Sequence, residues 1–135
     1  MNHVLALYKP QGLTPLEIIE QVRIKQPEYQ KVKIGYAGRL DPLAHGVLLL
    51  TIGEENKNRE KYLQLEKTYQ FSVLFGFATD TFDYLGMLKK MEYQEPLKNL
   101  EQKIKEFMTT HTGILKQHYP PFSSKTITML AIMTV

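Results

Sequence analysis

The stretch from Gly35 to Gly46 places three glycines and one proline around a single carboxylate, that of Asp41. Pro42 fixes its own φ and favours an extended backbone at Asp41, and the glycines permit tight turns or close backbone approach. The chain then becomes strongly apolar over residues 47–52, which is typical of a short strand buried on both faces. The sequence therefore predicts a constrained loop that presents Asp41 and leads into a core strand. Taken alone, this pattern favours an ordinary Asp-Pro turn.

Two segments have the pattern of helices. Thr14 and Glu17 stand at the N-cap and N3 positions, with Pro15 at N1 between them, and this is the sequence of a capping box. That helix is expected to end before Pro27, since proline cannot continue it. Residues 96–108 place apolar side chains at helical spacing opposite lysines and glutamates, which predicts a second, amphipathic helix.

Two further segments have the pattern of strands. Residues 4–8 form a short, mostly apolar run before a Lys-Pro turn. Residues 68–75 alternate between large apolar and polar side chains, which predicts a half-buried strand in an antiparallel sheet. A short helix is expected over residues 58–65. Together these elements indicate an α+β fold, with a mixed, mainly antiparallel sheet flanked by helices.

Composition limits the class of protein. The chain has 135 residues, of which 43% are hydrophobic and 23% charged, and this balance fits one globular domain. A net charge of +3 permits an anionic partner without requiring one. The absence of cysteine excludes disulfides and thiolate metal sites. No apolar run approaches the roughly 18 residues of a membrane span, and the N-terminus does not have the pattern of a signal peptide. The default expectation is a soluble cytoplasmic protein that contacts no membrane.

Residues 35–48 read Gly-x-x-Gly-x-Leu-Asp-Pro-Leu-Ala-x-Gly-Val-Leu, which resembles the catalytic motif of the TruB family, the tRNA pseudouridine-55 synthases. Further stretches resemble the same family in the same order, and they lie at residues 8–12, 67–69, 75–86 and 120–125. The resemblance spans about residues 5–125. It implies the pseudouridine synthase fold and the isomerisation of uridine to pseudouridine in the T-loop of tRNA, with no cofactor.

The resemblance also implies two catalytic residues. The aspartate of the Leu-Asp-Pro motif is Asp41, whose carboxylate would attack the uracil at C6 or the ribose at C1′. Tyr69 matches the active-site tyrosine of the family, where an aromatic ring can stack on an extruded base and a hydroxyl can relay a proton. Periodicity alone favours a different role for Tyr69, that of a tyrosine in a core strand.

Four further residues are candidates for binding substrate or RNA. Lys9 belongs to a Lys-Pro motif that, in the family, braces the catalytic loop. Tyr36 stands where bacterial members often carry histidine, and its ring could wedge against bases. Arg39 would point the same way as Asp41 if the loop is extended, although a solvated surface arginine is the alternative. Lys33, together with the lysines at positions 25, 31 and 57, could form a basic rim for phosphates or an ordinary solvated face.

A metal site is not expected. Asp80 and Asp83, with nearby threonine hydroxyls, could hold a magnesium ion, but no third carboxylate or histidine lies close in the sequence. The resemblance implies a structural turn at this position instead. The four histidines are scattered and show no spacing typical of metal ligands.

Residues 1–125 are expected to be the N-terminal part of a pseudouridine synthase catalytic domain, and residues 126–135 depart from the family pattern. The Tyr-Ile-Arg motif and the RNA-binding PUA domain that the family places further along do not occur in the sequence. The expectation is therefore a truncated catalytic domain with impaired activity, whose unpaired sheet edges allow self-association. The alternative is a non-catalytic RNA-binding or scaffold fragment.

Overall fold

The computed structural model describes residues 3–89, 98–118 and 120–122, together with the backbone of residues 131–134. It contains two compact units, Met1–Tyr69 and Gln70–Val135. Three sequence expectations fall partly outside the described residues: the start of the second helix at 96–97, the Ser-Ser-Lys part of the motif at 123–125, and most of the divergent tail.

The first unit is built on a three-stranded antiparallel sheet in the order β1-β3-β2. The strands are β1 (Val4–Lys9), β2 (Ile34–Ala37) and β3 (Gly46–Ile52). The predictions of β1 and of a central apolar strand are confirmed. The predicted Asp41 loop is also present, and it begins at Gly38 because residues up to Ala37 pair with β3.

One face of this sheet carries the hydrophobic core. Helix α1 (Pro15–Lys25) contributes Ile18, Ile19 and Val22, which pack in one buried cluster with β3 side chains such as Leu50. Side chains alternate along a strand, so the other face of β3 is less covered, and Val47 is 72% exposed. The prediction of a strand buried on both faces was therefore wrong at its first residues.

The capping box predicted for α1 is present. The Thr14 hydroxyl oxygen accepts from the Glu17 backbone N–H, and the Glu17 carboxylate accepts from the Thr14 N–H at 2.7 Å and from its hydroxyl at 2.8 Å. These hydrogen bonds hold the pKa of Glu17 below its ordinary value of 4.5. The helix ends at Lys25, as the proline at position 27 predicted.

Asn56 joins β2, β3 and the segment that follows them. It lies in a 3₁₀ helix, Gly53–Asn58, that continues into the short helix α2 (Arg59–Leu63), so the helix expected over residues 58–65 is confirmed with shifted bounds. Its amide nitrogen donates to the carbonyls of Lys33 (3.1 Å) and Gly53 (2.8 Å). Its amide oxygen accepts from the hydroxyl of buried Thr51. A Cβ at Gly35 would lie 2.2 Å from that oxygen, which explains the glycine in β2.

The second unit contains two hairpin-like strand pairs and one helix within its described residues. Strand β4 (Ala78–Thr79) pairs with β5 (Leu88–Lys89), and β6 (Ile114–Gln117) pairs with β7 (Ala131–Thr134), both antiparallel. Helix α3 (Leu100–Thr110) confirms the second predicted helix in its described part. With the first unit, these elements confirm the α+β class.

The strand predicted over residues 68–75 is not formed. Residues 66–74 have no regular secondary structure, and the side chains of Tyr69, Phe71 and Val73 are all more than half exposed. A strand requires a neighbour for its backbone hydrogen bonds, and none of the strand pairs within the described ranges includes this segment. Alternation was thus a correct description of the side chains but an insufficient condition for a strand.

In the second unit, the carboxylates of Asp80 and Asp83 accept hydrogen bonds that hold the turn between β4 and β5. Buried Asp80 accepts from the Met87 N–H at 2.8 Å, and Asp83 accepts from the Leu85 N–H at 2.9 Å and from the Thr81 hydroxyl at 2.7 Å. The described residues contain no group of three or more His, Cys, Asp or Glu side chains placed to hold a metal ion.

Among the helices of the described residues, none combines the length and the apolar character that crossing a bilayer requires.

Candidate active-site loop

The Asp41 loop, residues 38–45, connects β2 to β3. It opens at Gly38, whose φ of +83° lies in the left-handed region that favours glycine. Within the loop, the Ala44 N–H donates to the carbonyl of Asp41 at 3.0 Å and closes a tight turn. The carboxylate of Asp41 points outward, with 78% of the side chain exposed. The loop therefore presents its single acidic group to solvent.

Lys9 supports this loop through hydrogen bonds from its buried side chain. Its side chain is completely buried, and its ammonium group donates to the carbonyls of Leu13 (2.6 Å), Pro10 (3.1 Å) and Pro42 (3.4 Å). The Gly12 N–H donates to the same Pro42 carbonyl at 2.7 Å. The residue after Asp41 is thus tied to the turn between β1 and α1. The structure gives Lys9 a bracing position and no exposed surface through which to contact RNA.

Arg39 lies beside the carboxylate. Its Nε is 3.9 Å from Oδ1 of Asp41, and both side chains are mostly exposed. The structure therefore supports the arrangement in which the two side chains point the same way. An exposed pair at this distance contributes little to stability. The pair places a positive charge beside the carboxylate, and the guanidinium remains accessible to solvent.

The other two candidates for RNA contact flank or form β2. Tyr36 is opposite Leu50 in the strand pairing, and its half-buried ring packs against the core cluster. It is therefore a partly structural residue with limited exposed surface. Lys33 is exposed just before β2, and its carbonyl accepts from the Gly53 N–H at 2.8 Å. This backbone contact fixes the position from which the lysine side chain extends.

Tyr69 is not joined to Asp41 by any hydrogen bond or ring contact of the described residues. It lies in the irregular segment at residues 66–74, and 68% of its surface is exposed. Of the predicted site residues, Lys9 therefore contacts the Asp41 loop and Arg39 lies within it beside Asp41, whereas no described hydrogen bond joins Tyr69 to Asp41.

Sequence reasoning also missed a contact between Tyr8 and His45, the last residue of this loop. The hydroxyl of Tyr8 lies 3.0 Å from Nδ1 of His45, and the ring centroids are 6.0 Å apart at a tilt of 51°. The two residues are 37 positions apart, so no local pattern connects them. Only the pairing of β1 with β3, which sets Tyr8 opposite Val47, brings them together.

An exposed carboxylate beside an arginine, on a loop held by hydrogen bonds to its backbone, can serve as a nucleophile or a general base. The chain matches the sequence model described as "TruB family pseudouridylate synthase (N terminal domain)" over residues 25–129. Because that match covers most of its length, the chain belongs to the TruB family.

Relatives with the name tRNA pseudouridine synthase B include the following three. The protein from Aquifex aeolicus is 37% identical over 127 residues, which are 94% of this chain and 42% of that protein. The protein from Thermosipho melanesiensis is 37% identical over 127 residues, 93% of this chain and 39% of that protein. The protein from Mesoplasma florum is 33% identical over 121 residues, 90% of this chain and 41% of that protein. The chain thus spans about two fifths of the length of the curated relatives it matches.

Proposed function

We propose that this chain provides the nucleophile-bearing part of a tRNA pseudouridine synthase, which isomerises uridine to pseudouridine in the T-loop of tRNA. Membership of the TruB family and the names of the relatives support the activity and the tRNA substrate. The single observation that carries the assignment to Asp41 is the geometry of its loop. The carbonyl of Pro42 is held by two donors while the adjacent carboxylate is exposed.

The reaction is an isomerisation that needs no external reagent. The bond between N1 of uracil and C1′ of ribose breaks, the base turns over, and a bond forms between C5 and C1′. The hydrogen on C5 leaves as a proton and N1 gains a proton, so that no electrons are gained or lost. A carboxylate assists by forming a transient covalent bond, either at C6 of the base or at C1′.

Asp41 is suited to this covalent role. Its carboxylate is exposed to solvent, and Nε of Arg39 lies 3.9 Å from Oδ1 of that carboxylate. The hydrogen bonds to Pro42 fix the backbone one residue away from the reacting group. Holding a nucleophile in one position lowers the entropic cost of reaching the transition state.

The remaining candidates have supporting roles in the proposal. The exposed guanidinium of Arg39 and the exposed ammonium of Lys33 would contact phosphates, and Tyr36 would contact a base with the part of its ring that remains accessible. Tyr69 would stack on the extruded uracil or relay a proton.

The setting of the activity also belongs to the proposal. We place the protein in the cytoplasm, where tRNA is available, and assign it no metal. Both β1 and β2 are edge strands of the first sheet, and such edges can pair with a second copy of the chain.

Substitution of Asp41 tests the proposal. A chimera in which this chain replaces the matching 127 residues of the Aquifex aeolicus relative allows the loop to act within a full-length synthase. Asp41→Asn should lower tritium release from T-loop RNA labelled at C5 of uracil by more than about 10²-fold, since even small misplacement of a reacting group costs that much. Binding of the RNA should change little.

Glu20→Gln is a matched control. Glu20 is another exposed carboxylate, paired with Arg23 at 2.9 Å on α1, and its loss should leave tritium release unchanged. An unchanged rate in the Asp41→Asn chimera would contradict the nucleophile assignment. A wild-type chimera that binds T-loop RNA without releasing tritium would favour the non-catalytic RNA-binding alternative.

A further inference from the structure

We infer that Tyr8 and His45 form a second anchor of the Asp41 loop and act as positioning residues for its carboxylate. The inference deepens the proposed function and rests on it for its catalytic consequence. Its structural basis is the 3.0 Å contact between the Tyr8 hydroxyl and Nδ1 of His45, together with the contact of the two rings.

The two anchors come from consecutive residues of one strand. Neighbouring side chains in a strand point to opposite faces of the sheet, so Tyr8 and Lys9 diverge. Lys9 turns to the core face and reaches Pro42, while Tyr8 lies on the exposed face and reaches His45. The end of β1 therefore holds the loop from both faces of the sheet.

Leu40 packs against the core cluster, but the residues around the carboxylate depend mainly on polar contacts. Asp41, Pro42 and His45 are exposed, so apolar burial does little to fix their positions. The Lys9 and Gly12 donors both act on one atom, the carbonyl oxygen of Pro42. The contact at His45, three residues further on, adds a polar contact to a second part of the loop.

The contact is compatible with either form of the imidazole. When Nδ1 is unprotonated, the Tyr8 hydroxyl donates to it; when Nδ1 carries a proton, that N–H donates to the hydroxyl oxygen. The hydroxyl is therefore the group to remove. Tyr8→Phe deletes it and retains the ring that contacts His45.

Nuclear magnetic resonance on the 135-residue chain tests the anchor directly. In Tyr8→Phe, two quantities are measured: the ¹⁵N chemical shift of His45 Nδ1, and the heteronuclear NOE of the Asp41 and Ala44 amides. We expect the Nδ1 resonance to move and the two NOE values to fall. Tyr62→Phe is the control, because its hydroxyl donates to Glu55 at 2.6 Å elsewhere in the same unit. An Nδ1 resonance and loop NOE values that match the wild type would overturn the inference.

Kinetics of the same variants in the chimera test the catalytic consequence. Tyr8→Phe should lower kcat about three- to tenfold, the range expected for one neutral hydrogen bond, and leave KM unchanged. Tyr62→Phe should alter neither constant. A raised KM with unchanged kcat would identify Tyr8 as an RNA contact and overturn the positioning role, as would an unchanged kcat.

The two proposals fail in distinguishable ways. If the wild-type chimera releases no tritium, the proposed function fails, and the resonance measurements on the chain still decide whether the anchor exists. If the chimera turns over and the resonances of Tyr8→Phe do not move, the anchor fails while the proposed function stands.

Discussion

The Asp41 loop and the segment at residues 66–74 both lack regular secondary structure, yet they differ in how they are held. In the loop, the Pro42 carbonyl accepts from Lys9 and Gly12, and the Asp41 carbonyl accepts from Ala44. In the segment, large side chains such as that of Phe71, which is 73% exposed, face solvent. The loop is fixed by polar contacts, and the segment gains little from burial.

This difference shows that a backbone without regular secondary structure can still be held in place by specific contacts. A loop becomes well defined when its carbonyls find buried donors, because breaking such hydrogen bonds costs free energy. An alternating sequence does not become a strand until another strand pairs with it. The candidate nucleophile therefore lies on the fixed region, and Tyr69, the other predicted catalytic residue, lies on the exposed one.

The largest expected effect is the difference in stability loss between a substitution in the core of the first unit and one in the segment at residues 66–74. Leu50→Ala removes a completely buried side chain from the cluster beneath the loop and should lower the free energy of unfolding by about 2–5 kcal/mol. Phe71→Ala removes a larger but exposed side chain and should change it by less than about 0.5 kcal/mol. Urea unfolding, monitored through the amide resonances of β3, measures the free energy of unfolding of both variants. Comparable losses in the two variants would show that the segment packs as firmly as the core and would break the comparison.

A smaller effect is expected where β2 leads into the loop. Gly35→Ala places a methyl group where the Asn56 amide oxygen lies, so the hydrogen bonds of Asn56 should break at a cost of about 1–3 kcal/mol. The same unfolding measurement applies. In an Asn56→Ala background the added cost of Gly35→Ala should largely disappear, as a double-mutant cycle would show. An equal cost in both backgrounds would mean that the contact with Asn56 is not the reason why position 35 requires glycine.

The smallest expected effect concerns the helix that follows the Lys9 turn. The Thr14 hydrogen bonds lower the pKa of Glu17, so its stabilising contribution is present above the ordinary value of 4.5 and is lost as the pH falls through the lowered pKa. Glu17→Gln should therefore reduce the urea midpoint at neutral pH and make little difference at a pH of about 3. Glu28→Gln, at an exposed carboxylate without a hydrogen bond or ion pair in the described part of the chain, is the control. A reduction that is independent of pH would contradict the role of the charge.

The sequence by itself determined the features that depend on neighbouring residues. The capping box at Thr14 and Glu17 specified the start of α1, and the apolar run after Gly46 specified β3. The Leu-Asp-Pro motif singled out Asp41 and indicated the family. These signals are local, because capping, periodicity and turn chemistry act over a few residues.

Only the tertiary structure decided the contacts that define the site. The 33 positions from Lys9 to Pro42 and the 37 from Tyr8 to His45 are spanned by the pairing of β1 with β3. The register of β2 against β3 placed the ring of Tyr36 against the core. Register depends on which strands pair and which face is buried, and a pattern read along one segment cannot specify this. For the same reason the alternation at residues 68–75 predicted a strand, whereas no strand of the described residues pairs with that segment.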